Sequence, residues 1–239
     1  MNGSIWVPFH PLHATTILRA DLDANGRDDI VVDFGAPHGI WLYSNGSSWQ
    51  PLHPLSARHI VVADVDGTGQ DDLIVDFGPP YGIFVLRNGT SWTPLYGVSA
   101  SRLLVADLDG NGRSDLVVDF GTPHGLWTWL NDQAWLPLNA FSPTSLAAGD
   151  LDTTGRDALV ADFGSPYGIW TYSYGVGWTL LVGVSAGRLT TGDFDGDGRG
   201  DVVADFGTVY GLWRWAGGTN WTRLHQLSSR GLYADEIER

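Results

Sequence analysis

Short runs of β-branched and aromatic residues, each bounded by Gly, Pro, Asn or Asp, recur along the whole chain. The stretch from Trp49 to Gly89 predicts four strands, at residues 49–53, 60–63, 72–78 and 82–86. It closes with Asn88-Gly89, a pair typical of the turn in a β-hairpin. No window has a sustained helical period. The pattern therefore predicts an all-β chain.

The same pattern returns every 43 residues. An acidic segment begins at Asp21, Asp64, Asp107, Asp150 and Asp193. A tryptophan keeps the same interval at Trp6, Trp49, Trp92, Trp135, Trp178 and Trp221. Four short strands in about 40 residues are typical of one propeller blade. We therefore predict one domain over residues 1–239, a β-propeller with five blades of four antiparallel strands and one 43-residue repeat per blade.

The repeats start near residues 6, 49, 92, 135 and 178, and residues 221–239 form a partial sixth repeat. A proline two residues after the tryptophan places that strand at the outer edge of the sheet, where no ladder donor is lost. The small residue before each acidic segment suits the strand nearest a crowded axis. The strand after the segment is apolar, as expected when both of its faces are covered. The tryptophans themselves are expected to pack between blades.

The two ends of the chain predict surplus strands. Residues 6–11 repeat the outer strand, and residues 229–238 repeat the inner strand. Either end could complete a blade, so a closed five-bladed ring in a monomer is the favoured interpretation. The alternative is an arc that exchanges strands with a second chain.

The acidic segments have the oxygen spacing of a calcium loop. Side chains at positions 1, 3, 5 and 9 and the carbonyl at position 7 can converge when a glycine at position 6 permits a sharp turn. Carboxylates this close repel one another unless a cation neutralises them. The candidate Ca²⁺ ligands are Asp21, Asp23, Asn25, Arg27, Asp29, Asp64, Asp66, Thr68, Gln70, Asp72, Asp107, Asp109, Asn111, Arg113, Asp115, Asp150, Asp152, Thr154, Arg156, Asp193, Asp195, Asp197, Arg199 and Asp201.

The five copies differ in their ligand sets. The fifth loop has four carboxylates and is predicted to be the strongest site, whereas Ala158 replaces the ninth-position carboxylate and leaves the fourth loop weakest. Position 12 is never Glu, so these are not EF-hands. The side chains at position 7 are expected to point away from the ion. The alternative interpretation is an Asx-rich turn without an ion.

The loops resemble the FG-GAP, or VCBS, repeats of integrin-α-type propellers. The shared features are the acidic loop, the apolar strand and the Phe-Gly that follows, as in Phe34-Gly35-Ala36-Pro37. The resemblance implies structural calcium at the blade periphery and an extracellular or cell-surface location. Some members are similar to the Psathyrella-type propeller lectins, which bind sugars between blades. No signal peptide is visible, and the chain opens on a repeat boundary, as expected of a module taken from a longer protein or of an engineered chain.

Composition narrows the possible partners. The formal net charge is −14, which argues against nucleic acid and anionic membranes. There is no cysteine, and no apolar stretch is long enough to span a bilayer. The seven histidines form no zinc-binding pattern.

Aromatic residues recur beside the turn that follows Phe-Gly. The candidate ligand-binding residues are His38, Trp41, Tyr81, Phe84, His124, Trp127, Tyr167, Trp170, Tyr210 and Trp213. Flat rings beside Asp and backbone amides suit sugars, so one hypothesis is carbohydrate binding. The others are a protein-interaction or adhesion module that binds a protein ligand, and a symmetric scaffold without a ligand.

Catalysis is not expected, because repeated sites lack a unique arrangement of base and nucleophile. The five Asp-Phe-Gly triplets are interpreted as structural. The segment 183–187 matches a nucleophile-elbow pattern, but no helix is predicted after it. Asp201 of the Arg199-Gly200-Asp201 triplet is expected to bind a cation and to be unavailable to a receptor.

Overall fold

A computed structural model describes residues 9–218, 220–229 and 231–232. These residues fall into two compact units. The first unit comprises residues 9–63 and 69–99, and the second comprises residues 64–68 and the described residues from 100 onward. Residues 6–8, 230 and 233–238 of the predicted surplus end strands lie outside the described residues, and residues 9–11, 229 and 231–232 are not in strands.

The first unit contains two four-stranded antiparallel sheets. In spatial order the first sheet consists of β1 (Thr16–Ala20), β2 (Asp29–Asp33), β3 (Ile40–Ser44) and β4 (Ser48–His53). The second sheet consists of β5 (His59–Ala63), β6 (Asp72–Asp76), β7 (Ile83–Arg87) and β8 (Ser91–Tyr96).

The second unit contains three sheets of the same kind. The third sheet consists of β9 (Arg102–Ala106), β10 (Asp115–Asp119), β11 (Leu126–Leu130) and β12 (Ala134–Asn139). The fourth consists of β13 (Ser145–Gly149), β14 (Ala158–Asp162), β15 (Ile169–Ser173) and β16 (Gly177–Val182). The fifth consists of β17 (Arg188–Gly192), β18 (Asp201–Asp205), β19 (Leu212–Trp215) and β20 (Trp221–His225). One short helix, α1 (Gly207–Tyr210), forms the turn before β19.

Five sheets of four antiparallel strands are the blades of a five-bladed β-propeller, and the predicted fold class is confirmed. The strands that contain the repeated tryptophans, β4, β8, β12, β16 and β20, lie at sheet edges, as the proline position predicted. Each of these strands begins a sequence repeat and pairs with the last strand of the repeat before it. The predicted strand over residues 72–78 ends at Asp76. Helix α1 was not predicted, and Val209 stands in it where the other four repeats have proline.

The second strand of each blade is the core of its sheet. All five residues of β6, β10, β14 and β18 are buried. In the first unit Leu73 and Val75 pack in one cluster with Val31 and Ile40. Burying one aliphatic side chain stabilises a fold by about 2 kcal/mol. Each central strand begins or ends with buried aspartates, and this places charge directly beside an apolar core.

The edge tryptophans join neighbouring blades within each unit. The indole Nε1 of Trp92 donates to the carbonyl oxygen of Leu52 at 3.1 Å. Trp178 makes the equivalent bond to Leu138 at 2.8 Å. In both cases the acceptor lies on the outer strand of the preceding blade. The predicted packing of these tryptophans between blades is confirmed.

Candidate calcium loops and aromatic turns

Each acidic loop connects the first and second strands of a blade. Its position-1 aspartate accepts hydrogen bonds from backbone N–H groups of the same loop. In the third loop Asp107 Oδ1 accepts from Gly110 N at 2.8 Å, and Oδ2 accepts from Gly112 N at 2.7 Å. The equivalent carboxylates with such bonds are those of Asp21, Asp64, Asp150 and Asp193. The loop is therefore an Asx-rich turn, and the side-chain oxygens at its positions 3, 5 and 9 are further candidate ligands for a cation.

Two of the loops that lie within a single unit gather three carboxylates closely. Asp107, Asp109 and Asp115 present oxygen atoms within 4.8 Å of one another, and so do Asp193, Asp195 and Asp197. Among the described residues of the first and fourth loops, no three carboxylates come as close. The second loop is divided between the two units, with Asp64, Asp66 and Thr68 in one and Gln70 and Asp72 in the other.

The ninth-position aspartates lie in the sheet rather than in solvent. Asp29, Asp115 and Asp201 are all buried. Burial raises the pKa of Asp115 to about 6, although Asn131 N and Leu108 N each donate to it. Burial also raises the pKa of Asp29 and of Asp201. A buried carboxylate with a raised pKa is one that lacks enough positive charge or enough donors.

Asp29 shows this deficiency at a single atom. Its Oδ1 accepts from Asn45 N at 2.8 Å, whereas its buried Oδ2 has no hydrogen-bond partner in the described part of the chain. A hard cation bound by oxygen ligands would satisfy such an atom. The third loop fits Ca²⁺ by its gathered carboxylates, and the first loop fits it by this unsatisfied oxygen, although the carboxylates of the first loop lie farther apart.

The fifth positions are held by local bonds. Asn111 Oδ1 accepts from Arg113 N at 2.8 Å, and Asp197 Oδ1 accepts from Arg199 N at 2.8 Å. In the fourth loop the hydroxyl of Thr154 donates to Asp152 at 2.6 Å. That loop keeps its turn although Ala158 is buried where others have a carboxylate.

A hairpin asparagine completes the loop in the first three blades, and the sequence interpretation missed it. Asn131 donates from its backbone N to Asp115 Oδ1 and from Nδ2 to Asp109 Oδ2, at 2.8 and 2.7 Å. Its own Oδ1 accepts from Asn111. Asn45 makes the same bonds to Asp29 and Asp23, and Asn88 N donates to Asp72. The available signal was the 43-residue spacing of these asparagines, which ends at Tyr174 and Gly217.

Consecutive loops are joined through their backbones. Asp157 N donates to Asp107 O at 2.7 Å, and Asp107 N donates back to Asp157 Oδ2 at 2.9 Å. Gly200 N donates to Asp150 O at 2.6 Å in the next pair. Asp71 and Asp21 repeat the reciprocal bonds in the first unit.

The position-7 side chains of Gln70, Arg113 and Arg156 leave their own loops, as predicted, and contact the preceding loop. Arg113 lies against Gly67, and Arg156 lies against Gly110, so that a Cβ on either glycine would overlap the arginine. Gln70 Nε2 donates to the carbonyl of Leu22. Arg199 Nη1 donates to Gly217 O at 3.3 Å. At position 7 the predicted ligand is the backbone carbonyl oxygen, and for Arg27, Gln70, Arg113, Arg156 and Arg199 this stays a prediction.

The aromatic candidates lie at the turn between the second and third strands of every blade. The first ring of each pair is exposed, and these rings belong to His38, Tyr81, His124, Tyr167 and Tyr210. The second ring of each pair is half-buried, and these rings belong to Trp41, Phe84, Trp127, Trp170 and Trp213. All four tryptophans donate from Nε1 to the carbonyl of the exposed partner, at 2.8 to 2.9 Å. The half-buried ring thus supports the turn, and the exposed ring remains available to a ligand.

Phe141 adds a ring that the sequence interpretation did not single out. It stacks on Tyr167 with a centroid separation of 5.4 Å and an interplanar angle of 27°. Phe141 is 56% exposed and Tyr167 is 49% exposed, so the pair forms an accessible aromatic surface. Phe141 lies in the segment joining β12 to β13, so this surface combines two successive blades.

Tyr43, Trp129 and Tyr172, each two residues after the half-buried ring of an aromatic turn, are themselves half-buried against edge tryptophans. Tyr43 contacts Trp49 at 5.0 Å between centroids, and Tyr172 contacts Trp178 at 5.2 Å. Trp129 packs on Trp135 at 5.3 Å. These rings cover the edge tryptophan of the neighbouring strand.

The motifs that suggested other activities have structural roles. Asp162 of an Asp-Phe-Gly triplet accepts from Gly164 N, from Ser185 Oγ and from Ala186 N, at 2.7 to 2.8 Å. Ser185 belongs to the nucleophile-elbow pattern, and its hydroxyl is used in this bond. Asp201 is 1% exposed, so the Arg-Gly-Asp triplet does not present its carboxylate to a receptor.

The described sheets and their loops define a β-propeller, and solved structures share that fold. One is a propeller lectin from Agrocybe aegerita, described as specifically recognising non-reducing terminal N-acetylglucosamine. The two structures match with a TM-score of 0.63 and 20% sequence identity, and the match covers 85% of this chain and 62% of the lectin. Another is BBS1N in complex with ARL6DN, with a TM-score of 0.56, 14% identity, and coverage of 90% of this chain and 66% of BBS1N. The chain thus spans less than two thirds of either protein.

At these identities the likeness shows the fold alone. No protein-family model matches the chain, and no curated relative matches it. Within the described ranges there is no helix with the length and apolar character needed to cross a membrane.

Proposed function

We propose that this chain is a non-catalytic, calcium-stabilised binding module that recognises carbohydrate through the aromatic turns of its blades. The observation that carries the proposal is the exposed ring at the same turn of all five blades, on a fold shared with a lectin. We further propose that the repeats are of the FG-GAP or VCBS type, because each has the acidic loop, the apolar strand and the Phe-Gly that follows it.

The aromatic turns have the chemistry that sugars require. An exposed ring offers a flat apolar face to sugar C–H groups, and Tyr hydroxyls and backbone groups beside it can bond to sugar hydroxyls. The turn itself is held by the half-buried partner ring, so little ordering is needed on binding. One shallow contact per blade is weak, and several together give useful avidity toward a clustered glycan.

Calcium is proposed to be structural. In the first and third loops the carboxylates at positions 1, 3 and 9, the asparagine at position 5 and the carbonyl at position 7 would hold it. Bound there, Ca²⁺ supplies positive charge to a group of carboxylates that includes a buried one with a raised pKa. We propose an extracellular or cell-surface location, where millimolar calcium fills loops of moderate affinity, and a monomeric state.

A glycan array with the whole chain in calcium tests the binding proposal. The first probe is a glycan ending in N-acetylglucosamine, the sugar named for the lectin of similar fold. We expect several-fold weaker binding for Tyr167→Ala and loss of binding when Tyr81, Tyr167 and Tyr210 are all replaced, with an unchanged melting temperature. Tyr96→Ala is the matched control, because Tyr96 is an exposed tyrosine on an outer strand rather than at a turn.

The alternative of a protein-binding module has one observation in its favour. Exposed aliphatic side chains, among them Val176, Leu180 and Leu224, lie on or beside outer strands. An array without any binding, together with capture of a defined protein that Leu180→Ser abolishes, would replace the carbohydrate proposal with this one.

A further inference from the structure

The fifth blade has a charged residue at a position of its third strand where the other blades have uncharged residues. Arg214 lies on β19, opposite Val203 of the central strand. The equivalent residues one repeat apart are all uncharged and are Leu42, Val85, Thr128 and Thr171. The Arg214 side chain is only 22% exposed, so its charge is held near the base of the acidic loop.

The guanidinium contacts two of the four carboxylates of that loop. Arg214 Nη2 lies 3.1 Å from Asp195 Oδ2, and Nη1 lies 3.5 Å from Asp201 Oδ2. The Nε atom is buried and has no hydrogen-bond partner among the described residues. The two carboxylates are thus the contacts that hold the guanidinium.

The same two positions are bridged differently in the first and third blades. There the hairpin asparagine, Asn45 or Asn131, bonds to the carboxylates at positions 3 and 9. The bond to position 9 comes from the backbone N of that asparagine, and the bond to position 3 comes from its side-chain amide. In the fifth blade this residue is Gly217, which lacks the side-chain amide. Arg214 therefore supplies the side-chain contact that the position-3 carboxylate would otherwise lack, and it brings a permanent positive charge to positions 3 and 9.

We propose that Arg214 is the resident cation of the fifth loop, so that this loop binds Ca²⁺ at least about tenfold more weakly than the third. The inference rests on the proposed calcium loops and corrects the ranking that carboxylate number alone predicts. Asp193, Asp195, Asp197 and Asp201 are the richest set in the chain, yet positions 3 and 9 already share the positive charge of one guanidinium from within the protein. A divalent ion would have to displace the guanidinium or bind beside it against its charge.

Calcium titration of the whole chain by calorimetry tests the proposal with Ca²⁺ as the probe. Arg214→Thr introduces the residue found at the equivalent positions 128 and 171. We expect this variant to bind one more calcium ion than the wild type, or to bind it at least about tenfold more tightly, and Arg214→Lys to keep the wild-type count. Asp193→Asn should leave the tightest sites of the wild type unchanged, and it should remove the added or tightened site in the Arg214→Thr background.

Melting curves separate this proposal from the calcium proposal. In chelator, Arg214→Thr should melt at a lower temperature than wild type, and added calcium should restore it. Should Arg214→Thr gain neither an ion, nor tighter binding, nor calcium-dependent stability, or should Asp193→Asn remove one of the tightest ions of the wild type, the role of Arg214 is refuted. If the wild type binds no calcium and Asp115→Asn changes nothing, the calcium loops are refuted. In that case the melting temperatures without metal still test Arg214. A lower value for Arg214→Thr than for Arg214→Lys supports its role as the cation of the loop, and equal values refute it.

Discussion

At the scale of single residues, buried aspartates at the start and at the end of central strands occur in two different environments. Asp115 begins β10 and has its pKa raised to about 6, because burial outweighs its two backbone donors. Asp205 ends β18, where burial raises its pKa but bonds from Gly207, Ser229 and Ser228 together bring it below the ordinary value. The charged form of Asp115 would be stabilised by a bound cation, whereas the charged form of Asp205 is already stabilised by hydrogen bonds within the protein.

This difference predicts opposite pH dependences in the absence of calcium. The folded pKa of Asp115 is above the unfolded value of 3.8, so its contribution to stability is complete below that value and is lost as pH rises through about 6. In chelator, the unfolding free energy of the wild type should fall between pH 4 and pH 7.5, and Asp115→Asn should reduce this fall. Urea unfolding at several pH values measures both slopes.

Asp205→Asn is the contrasting variant. The folded pKa of Asp205 is lowered, so its contribution is present above the ordinary aspartate pKa and is lost as pH falls below it. This variant should therefore lose stability at pH 7.5 and approach the wild type in acid. An Asp115→Asn variant with the full wild-type slope in chelator would contradict our account of that carboxyl.

At the scale of secondary-structure elements, the hairpin between the third and fourth strands supports the acidic loop between the first and second. Asn131 has a backbone φ of +55°, and Gly217 occupies the equivalent position naturally. Asn131→Gly should keep the turn and the N–H bond to Asp115, and it should lose the side-chain bonds to Asp109 and Asn111. We expect a loss of about 1 kcal/mol in unfolding free energy and several-fold weaker calcium binding.

Asn131→Asp is the matched comparison, because aspartate also tolerates this turn conformation. It cannot donate to Asp109, and it adds a negative charge beside it. Its destabilisation should be larger than that of the glycine variant in chelator and should shrink in calcium. Equal calcium affinity in all three proteins, measured by calorimetry, would remove the hairpin from the calcium site.

The sequence was sufficient for the strands, the edge position of Trp49 and the acidic loops, because a fixed period aligns equivalent residues and their chemistry is local. It was insufficient for Asn131 and Arg214. Asn131 acts on Asp115, 16 residues away, through the pairing of β10 with β11. Arg214 reaches Asp201 through the register of β18 and β19. Such contacts depend on strand register, which the turn residues and the repeat did not specify.

At the scale of the whole molecule, repulsion among negative charges opposes folding. The chain has 27 acidic residues and 13 Lys and Arg, and many of the acids lie in the five loops. Net negative charge destabilises a compact state through self-repulsion, and salt screens that repulsion. Calcium bound to the folded chain stabilises it further by mass action.

Melting temperature should therefore respond to salt and calcium together. In chelator it should rise when sodium chloride is increased from 20 to 500 mM. In millimolar calcium it should start higher and change less, because the loop charges are already neutralised. Magnesium at the same concentration is the control for screening by a divalent ion. Identical curves in chelator and in calcium would refute occupied loops.

The backbone bonds between successive loops have a consequence for how ions enter the protein. A cation that stiffens the third loop also restrains Asp157, and Gly200 ties the fourth loop to the fifth in turn. Where two loops joined in this way both bind calcium, we expect them to load cooperatively, with a steeper isotherm than independent chelators would give. We expect the fourth loop, which lacks one carboxylate, to transmit this restraint from the third loop to the fifth through its backbone.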